Sequence, residues 1–291
     1  MKIIVLNGSP KGEQSVTIQY IHFIEKKFPE HQIKIFNIAQ QIHKIDREED
    51  FFQEIIGQIR GSDGVIWAFP LYVFLVSSQY KRFIELIWEK RAEEAFRNKY
   101  AAVITTSIHF FDHTAHNYIR AICDDLDMKF AGSYSAEMYD LLKPELREKL
   151  TLFAESFFLA AAERKPAFKN FLPLKAPEFE YVPGNGQTKI NPVRRRIALV
   201  TDSEDPNTNL AKMISRFKNS FDGPMDTVYI QEINMRGGCL GCLRCGHSYH
   251  CAYEGKDDFI ETYQTKIRAA DILVFAGTMR DRYLSSLWGF R

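Results

Sequence analysis

Residues 1–17 read MKIIVLNGSPKGEQSVT, and the order of residue types in that stretch decides the fold. Lys2 leads into the apolar run Ile3, Ile4, Val5 and Leu6, which stops at Asn7 and Gly8. So short a run, ended by a turn signal, predicts a buried strand over 2–6. Gly8 and Gly12 then permit positive φ and close backbone approach, and Ser9, Ser15 and Thr17 contribute hydroxyls. From Gln14 onward, Ile18, Ile21, Ile24 and Phe28 recur at helical spacing. A helix starting there aims free N–H groups and the positive end of its dipole at the loop. Strand, glycine-and-hydroxyl loop and helix together suit a phosphate; the plainer alternative is an ordinary strand–helix turn. The loop is not G-x-G-x-x-G and lacks a GK[ST] ending, so neither dinucleotide nor ATP binding follows.

Outward from this stretch the chain alternates. Strands are predicted at 32–38, 64–69, 100–107 and 128–136, and helices at 48–60, 77–97, 114–126 and 144–163. Phe83, Leu86 and Ile87 mark the inner face of the third helix, and Leu146, Leu150, Phe153 and Phe157 that of the last. Such alternation implies an α/β domain with a parallel sheet covered on both faces. Five strands and five helices over 1–164 fit a doubly wound, flavodoxin-like order. Residues 165–193 are punctuated by Pro166, Pro173, Pro177, Pro183 and Pro192 and read as a linker. The pattern restarts over 194–291, with strands at 196–201, 226–233 and 271–277 and helices at 207–219 and 257–270. Two strands and two helices of a second such unit have no counterpart before Arg291. This second unit is expected to be incomplete, either trimmed or completed by packing on a partner.

The second unit carries "GGCLGCLRCGHSYHC" at 237–251, with Cys239, Cys242, Cys245 and Cys251 spaced C-x2-C-x2-C-x5-C. Four thiolates can hold Zn²⁺ or a [4Fe–4S] cluster. Structural zinc sites usually split into two separated C-x2-C pairs, whereas three cysteines at one continuous period resemble a ferredoxin run. The expectation is a cluster, with zinc and a metal-free loop as alternatives and His247 and His250 as alternative ligands. Cys123, on a predicted helix, reads as a buried structural thiol.

The first loop, "NGSPKG" followed by Ser15 and Thr17, resembles the NAD(P)H-dependent FMN reductase branch of the flavodoxin-like proteins. So does "PLYVFLVSSQYKRFIE", which matches that family at Pro70, Tyr72, Lys81, Phe83 and Ile84. The resemblance implies FMN, with Ser9, Pro10, Lys11, Ser15, Val16 and Thr17 around its phosphate. It implies that Pro70, Leu71, Tyr72 and Val73 border the isoalloxazine. The third family loop is often Gly-rich, but here it reads "TTSIHFFDH" without glycine. Thr106, Ser107 and His109 could hydrogen-bond the flavin there, or Phe110 and Phe111 could fill the space as packing. The cysteine spacing resembles the iron–sulfur flavoproteins, which implies a cluster from one chain near the flavin of another; this chain could build that pair internally or across a dimer, and a homo-oligomer is expected. The second unit's own first loop, "TDSEDPNTNL", carries Glu204 and Asp205, which would repel a phosphate. One flavin in the first unit and one cluster in the second is therefore the expected division.

A net charge of +1 offers no electrostatic case for nucleic acid, and the Arg194–Arg196 run reads as a solvated strand start. No apolar run reaches the roughly 18 residues of a membrane helix, and the N-terminal one is shorter than a signal-peptide core of about 7–15. The expected protein is cytoplasmic, with reduced thiols. Its expected function is electron transfer from NAD(P)H or ferredoxin, through FMN and a [4Fe–4S] cluster, to a small-molecule or protein acceptor. Two alternatives stand beside it: a cluster-free NAD(P)H:FMN or quinone reductase, and a cofactor-free interaction module with zinc in the cysteine loop.

Overall fold

The computed structural model describes residues 1–172, 178–184, 189–280, 283–284 and 288. Residues 173–177 and 185–188 of the proline-punctuated segment lie outside the described residues, as do 281–282 and 285–287 of the second unit's 277–288 loop. The chain divides into two compact units, Met1–Leu174 and Lys175–Arg291.

In the first unit β1 (Lys2–Asn7), β2 (Gln32–Phe36), β3 (Gly64–Pro70), β4 (Tyr100–Thr106) and β5 (Lys129–Ala136) form one parallel sheet ordered β2-β1-β3-β4-β5. The helices between and after them are α1 (Val16–Lys27), α2 (Ile42–Arg47), α3 (Glu49–Arg60), α4 (Ser78–Glu89), α5 (Asp112–Asp125) and α6 (Pro144–Ala162). This is the five-stranded, doubly wound, flavodoxin-like order expected from the alternation.

The apolar runs are continuous rather than alternating because both sheet faces are covered. Ile3, Val5, Ile66, Ala102 and Ile104 pack with Ile18 and Ile21 of α1 and with Leu150 and Phe157 of α6. Trp67 meets Tyr80 of α4 edge-on, with ring centres 5.9 Å apart, and lies 6.0 Å from Phe96. Each such large side chain contributes roughly 1.5–3 kcal/mol by leaving water. Cys123 of α5 is fully buried, and burial pushes its thiol pKa up, so it is a structural thiol as expected.

The helices of the first unit differ from expectation in two places. The predicted 77–97 helix stops at Glu89; Arg91 adopts φ 54°, and Glu93–Ala95 form a separate 3₁₀ turn. Left-handed backbone breaks the α-helical ladder, whatever the apolar spacing beyond it. In the 37–50 segment α2 forms, with Ile42 and Ile45 buried, although the sequence offers no strong cap there.

The second unit holds β6 (Ile197–Thr201), α7 (Asn209–Lys218), β7 (Met225–Tyr229), α8 (Arg244–Ser248), α9 (Phe259–Thr262) and β8 (Ile272–Ala276). Its parallel sheet is ordered β7-β6-β8, repeating the β2-β1-β3 order of the first unit. β6 is buried throughout, whereas β8 leaves Leu273 and Phe275 exposed. Among the described residues the second unit thus repeats the first unit's central strand order in a smaller, three-stranded parallel sheet. The predicted 257–270 helix is only one α turn followed by a π turn, Tyr263–Ile267.

Candidate functional site

The strand order of the first sheet reverses between β1 and β3, and the loops after β1, β3 and β4 meet at the strands' C-terminal ends. In open α/β sheets that crevice is where ligands bind.

After β1 the chain turns through residues 8–15 under tight constraints. A Cβ on Gly8 would lie 2.7 Å from the Tyr80 ring and 2.8 Å from Phe69 Cβ. Gly12 adopts φ +56°, and a Cβ there would meet the Gln40 side chain at 2.4 Å. Asn7, fully buried, braces the loop: its amide donates to Gly12 O at 3.1 Å and to Asn37 Oδ1 at 2.8 Å, and its Oδ1 accepts from Ser9 N–H at 3.0 Å. Ser9 Oγ accepts from Lys11 N–H at 3.2 Å, and Ser15 Oγ caps α1 by accepting from Thr17 N–H at 3.2 Å. A hydroxyl that accepts in this way keeps its own proton to donate. The loop therefore combines two spare O–H donors, a helix N-terminus and the exposed Lys11; Pro10 and Val16 are half-buried beside them. These groups fit a phosphate. Asn7 was not singled out from the sequence, although an Asn closing a strand before Gly is a recognisable loop brace.

Thr17 and Thr106 share a hydrogen bond of 2.6 Å between their hydroxyls, tying the first turn of α1 to the end of β4. Pro70 is in register with Thr106, and Leu71 N–H donates to Thr106 O at 2.9 Å. The structure thus brings Ser9, Ser15, Thr17, Pro70, Leu71 and Thr106 to one end of the sheet. Tyr72 and Val73 follow on an exposed turn, 47% and 65% accessible.

The glycine-free third loop is built around Asp112, the first residue of α5. Ser107 Oγ donates to both its carboxylate oxygens at 2.8 Å, His109 Nδ1 lies 3.0 Å from Oδ2, and Ser135 Oγ also donates to it. Burial penalises this carboxylate, but the hydrogen bonds from Ser135, Ser107 and His109 outweigh that and hold its pKa below the usual range. Ser107 and His109 thus meet each other through Asp112. An acid two residues before the helix predicted at 114–126, and three after His109, was the available signal for it. Phe110 and Phe111 contact each other and Phe74, with ring centres 4.5 Å and 4.8 Å apart for the Phe111 pairs. All three rings remain 42–55% exposed, so they pack on one another at the rim rather than in the core. Phe74, His109 and Phe111 all adopt φ between 55° and 59°, a strained conformation for such residues, and all three lie on the loops around the crevice.

Residues 1–139 match the NADPH-dependent FMN reductase family. The resemblance drawn from "NGSPKG" and "PLYVFLVSSQYKRFIE" is borne out over this reductase-family segment, which lies within the first unit. No curated protein matches the chain. Among solved structures, an apo NADH:FMN oxidoreductase (EMOB) is 17% identical, with 55% of this chain over 89% of that one and a TM-score of 0.47. An FMN-dependent NADH-azoreductase from Bacillus anthracis in complex with FMN is 15% identical, with 57% of this chain over all of that one and a TM-score of 0.39. General stress protein 14 from Treponema denticola in complex with FMN is 11% identical, covering 56% and 98% of the two chains at a TM-score of 0.40.

The cysteine loop departs from expectation. Cys239, Cys242, Cys245 and Cys251 form no disulfide, and the first three are exposed. Among the described residues no group of three or more His, Cys, Asp or Glu could hold a metal ion. The arrangement therefore shows neither the expected [4Fe–4S] cluster nor the zinc alternative. The physical reason is local. Residues 242–250 are exposed throughout, and Leu243 and Tyr249 are left-handed at either end of the short α8. His250 Nδ1 pairs instead with Glu254 at 2.6 Å. At the second unit's first loop, Thr208 caps α7 and the buried Asp202 accepts from Thr278 N–H at 2.8 Å. That acidic loop offers a phosphate no counterpart to the first unit's cradle.

Proposed function

We propose that the first unit is an NAD(P)H-dependent FMN oxidoreductase that works without a metal cluster. One observation carries the reading. Within the segment that matches the reductase family, a hydroxyl-lined loop at a helix N-terminus converges with the ends of β3 and β4 at the topological switch point. Ser9, Pro10, Lys11, Ser15, Val16 and Thr17 would hold the FMN phosphate. Pro70, Leu71, Tyr72 and Val73 would border the ring, with Thr106, Ser107 and His109 at its polar edge. When bound, FMN supplies the exchange between two-electron donors and one- or two-electron acceptors. The chain's own part is to bind and orient it: Asp112 fixes the His109 imidazole, and the Phe74–Phe110–Phe111 group keeps water from one side.

The acceptor class in this reading is a small molecule such as a flavin or quinone, and the protein is a homo-oligomer of the cytoplasm. Among the described residues no helix is long and apolar enough to cross a membrane. The domain bounds 1–164 and 194–291, joined by 165–193, belong to the same proposal. A second reading adds a [4Fe–4S] cluster on Cys239, Cys242, Cys245 and Cys251, and it rests on their spacing alone.

Flavin titration, with NAD(P)H oxidation followed in the presence of FMN, tests the main reading. FMN is expected to bind stoichiometrically and to be required for oxidation; a protein with no affinity for FMN overturns the assignment. Iron and acid-labile sulfide are counted on protein prepared without oxygen. Their absence, with FMN binding unchanged in Cys242→Ser/Cys245→Ser, supports the cluster-free form; stoichiometric iron and sulfide lost in that variant overturn it.

A further inference from the structure

At the opposite end of the first sheet from the flavin crevice lies an open cavity of about 310 Å³. It forms where β4 and β5 begin and α6 ends, and β4's seven residues put it roughly 20 Å from the phosphate loop. Its lining is strongly basic: Arg97, Lys99, Lys129 and Arg164 surround it, against the single carboxylate of Asp63.

The cations differ in what already satisfies them. Arg97 pairs with Glu94 at 2.6 Å and approaches Asp127 at 3.6 Å. Lys99 is held from below by two backbone carbonyls, Arg60 O at 2.7 Å and Ser62 O at 2.6 Å, which fixes its ammonium without neutralising it. Burial holds its pKa below the ordinary value, against the opposing attraction of the Asp63 carboxylate. Lys129 Nζ sits over the Tyr100 ring, 5.2 Å from its centre. Among the described residues, Lys99, Lys129 and Arg164 form no ion pair. Asp63 is occupied on its own side, accepting from Lys2 N–H at 2.8 Å.

Three cations around one concavity, with Asp63 the single carboxylate among the lining residues, leave a net positive charge there that an anion would relieve. Elsewhere on this unit the half-buried Lys90 and Arg82 and the exposed Lys169 are paired. The volume exceeds what a single carboxylate needs, and the charge calls for more than one negative group. We infer that this cavity is a second anion site, binding a compact multivalent oxyanion of the pyrophosphate class between Lys99, Lys129 and Arg164.

The test uses the full chain saturated with FMN, so that the phosphate loop is occupied, and inorganic pyrophosphate as the probe in isothermal titration calorimetry at low salt. Saturable one-to-one binding is expected, with orthophosphate weaker. Lys129→Gln and Arg164→Gln should each weaken binding by about tenfold or more, the usual size of a lost charge-assisted contact. Both side chains reach the surface, and FMN affinity and near-ultraviolet circular dichroism verify that the variants fold. Absence of saturable binding, or equal binding by wild type and both variants, overturns the inference. If the chain binds pyrophosphate but no FMN, the flavin reading fails while this one stands; the converse pattern separates them the other way.

Discussion

Gly8 and His116 carry the clearest residue-scale consequences. Gly8 is glycine because Tyr80 and Phe69 leave no room for a Cβ, at 2.7 Å and 2.8 Å. Tyr80 cannot retreat easily, since its hydroxyl donates to Leu6 O at 2.6 Å in the core. Gly8→Ala should therefore destabilise the first unit by about 1–3 kcal/mol through overpacking and weaken FMN binding, as read by thermal unfolding and flavin titration. His116 Nε2 lies 2.9 Å from Thr105 Oγ1, and burial holds its pKa below the ordinary value; Asp112 opposes that shift weakly. The unfolded chain thus binds a proton at that position more readily than the native one. The stability gained from neutral His116 is present above the unfolded pKa of about 6.5 and is lost as pH falls through the folded value. The unfolding midpoint should drop between pH 7 and pH 5, and His116→Gln should flatten that part of the curve; an unchanged slope would count against the buried neutral imidazole. The glycines were legible in the sequence. The His116–Thr105 contact was not, because it joins an interior strand to the next helix through side-chain packing.

At the scale of elements, the cap of α1 links stability to ligand. Ser15 accepts from Thr17 N–H and stands at the phosphate loop, so Ser15→Ala should cost about 1 kcal/mol and also raise the Kd for FMN. Thr208 caps α7 in the same way, accepting from Ala211 N–H at 3.2 Å, but beside an acidic loop. Thr208→Ala should lower the stability of the second unit by a similar amount and leave FMN affinity unchanged. Urea unfolding with a flavin titration checks both; an equal loss of affinity in the two variants would refute the assignment of the phosphate to the first loop. Period alone placed most helices within a few residues. It missed the stop of α4 at Glu89 because Arg91's left-handed turn answers to local packing, which apolar spacing does not encode.

For the whole molecule, the two units share a strand order but not a chemistry. The first closes five strands under helices on both faces; the second leaves Phe275 of β8 64% exposed. Residues 1–174, expressed alone, should fold and keep FMN affinity within about threefold of the full chain, since the proposed site draws only on that unit. A fragment that folds, by circular dichroism, yet binds no FMN would place part of the site in the remainder. Alternating apolar runs and helical periods sufficed for the α/β class, the doubly wound order and the phosphate-loop candidate, because these follow from local periodicity and from backbone freedom at glycine. Only the tertiary structure decided which groups meet: Thr17 with Thr106, His109 with Asp112, three cations around one cavity, and four cysteines left apart on an exposed loop. Spacing along a chain fixes which ligands could assemble. Whether they do depends on the packing around them, and residues 242–250 lie exposed along the whole run.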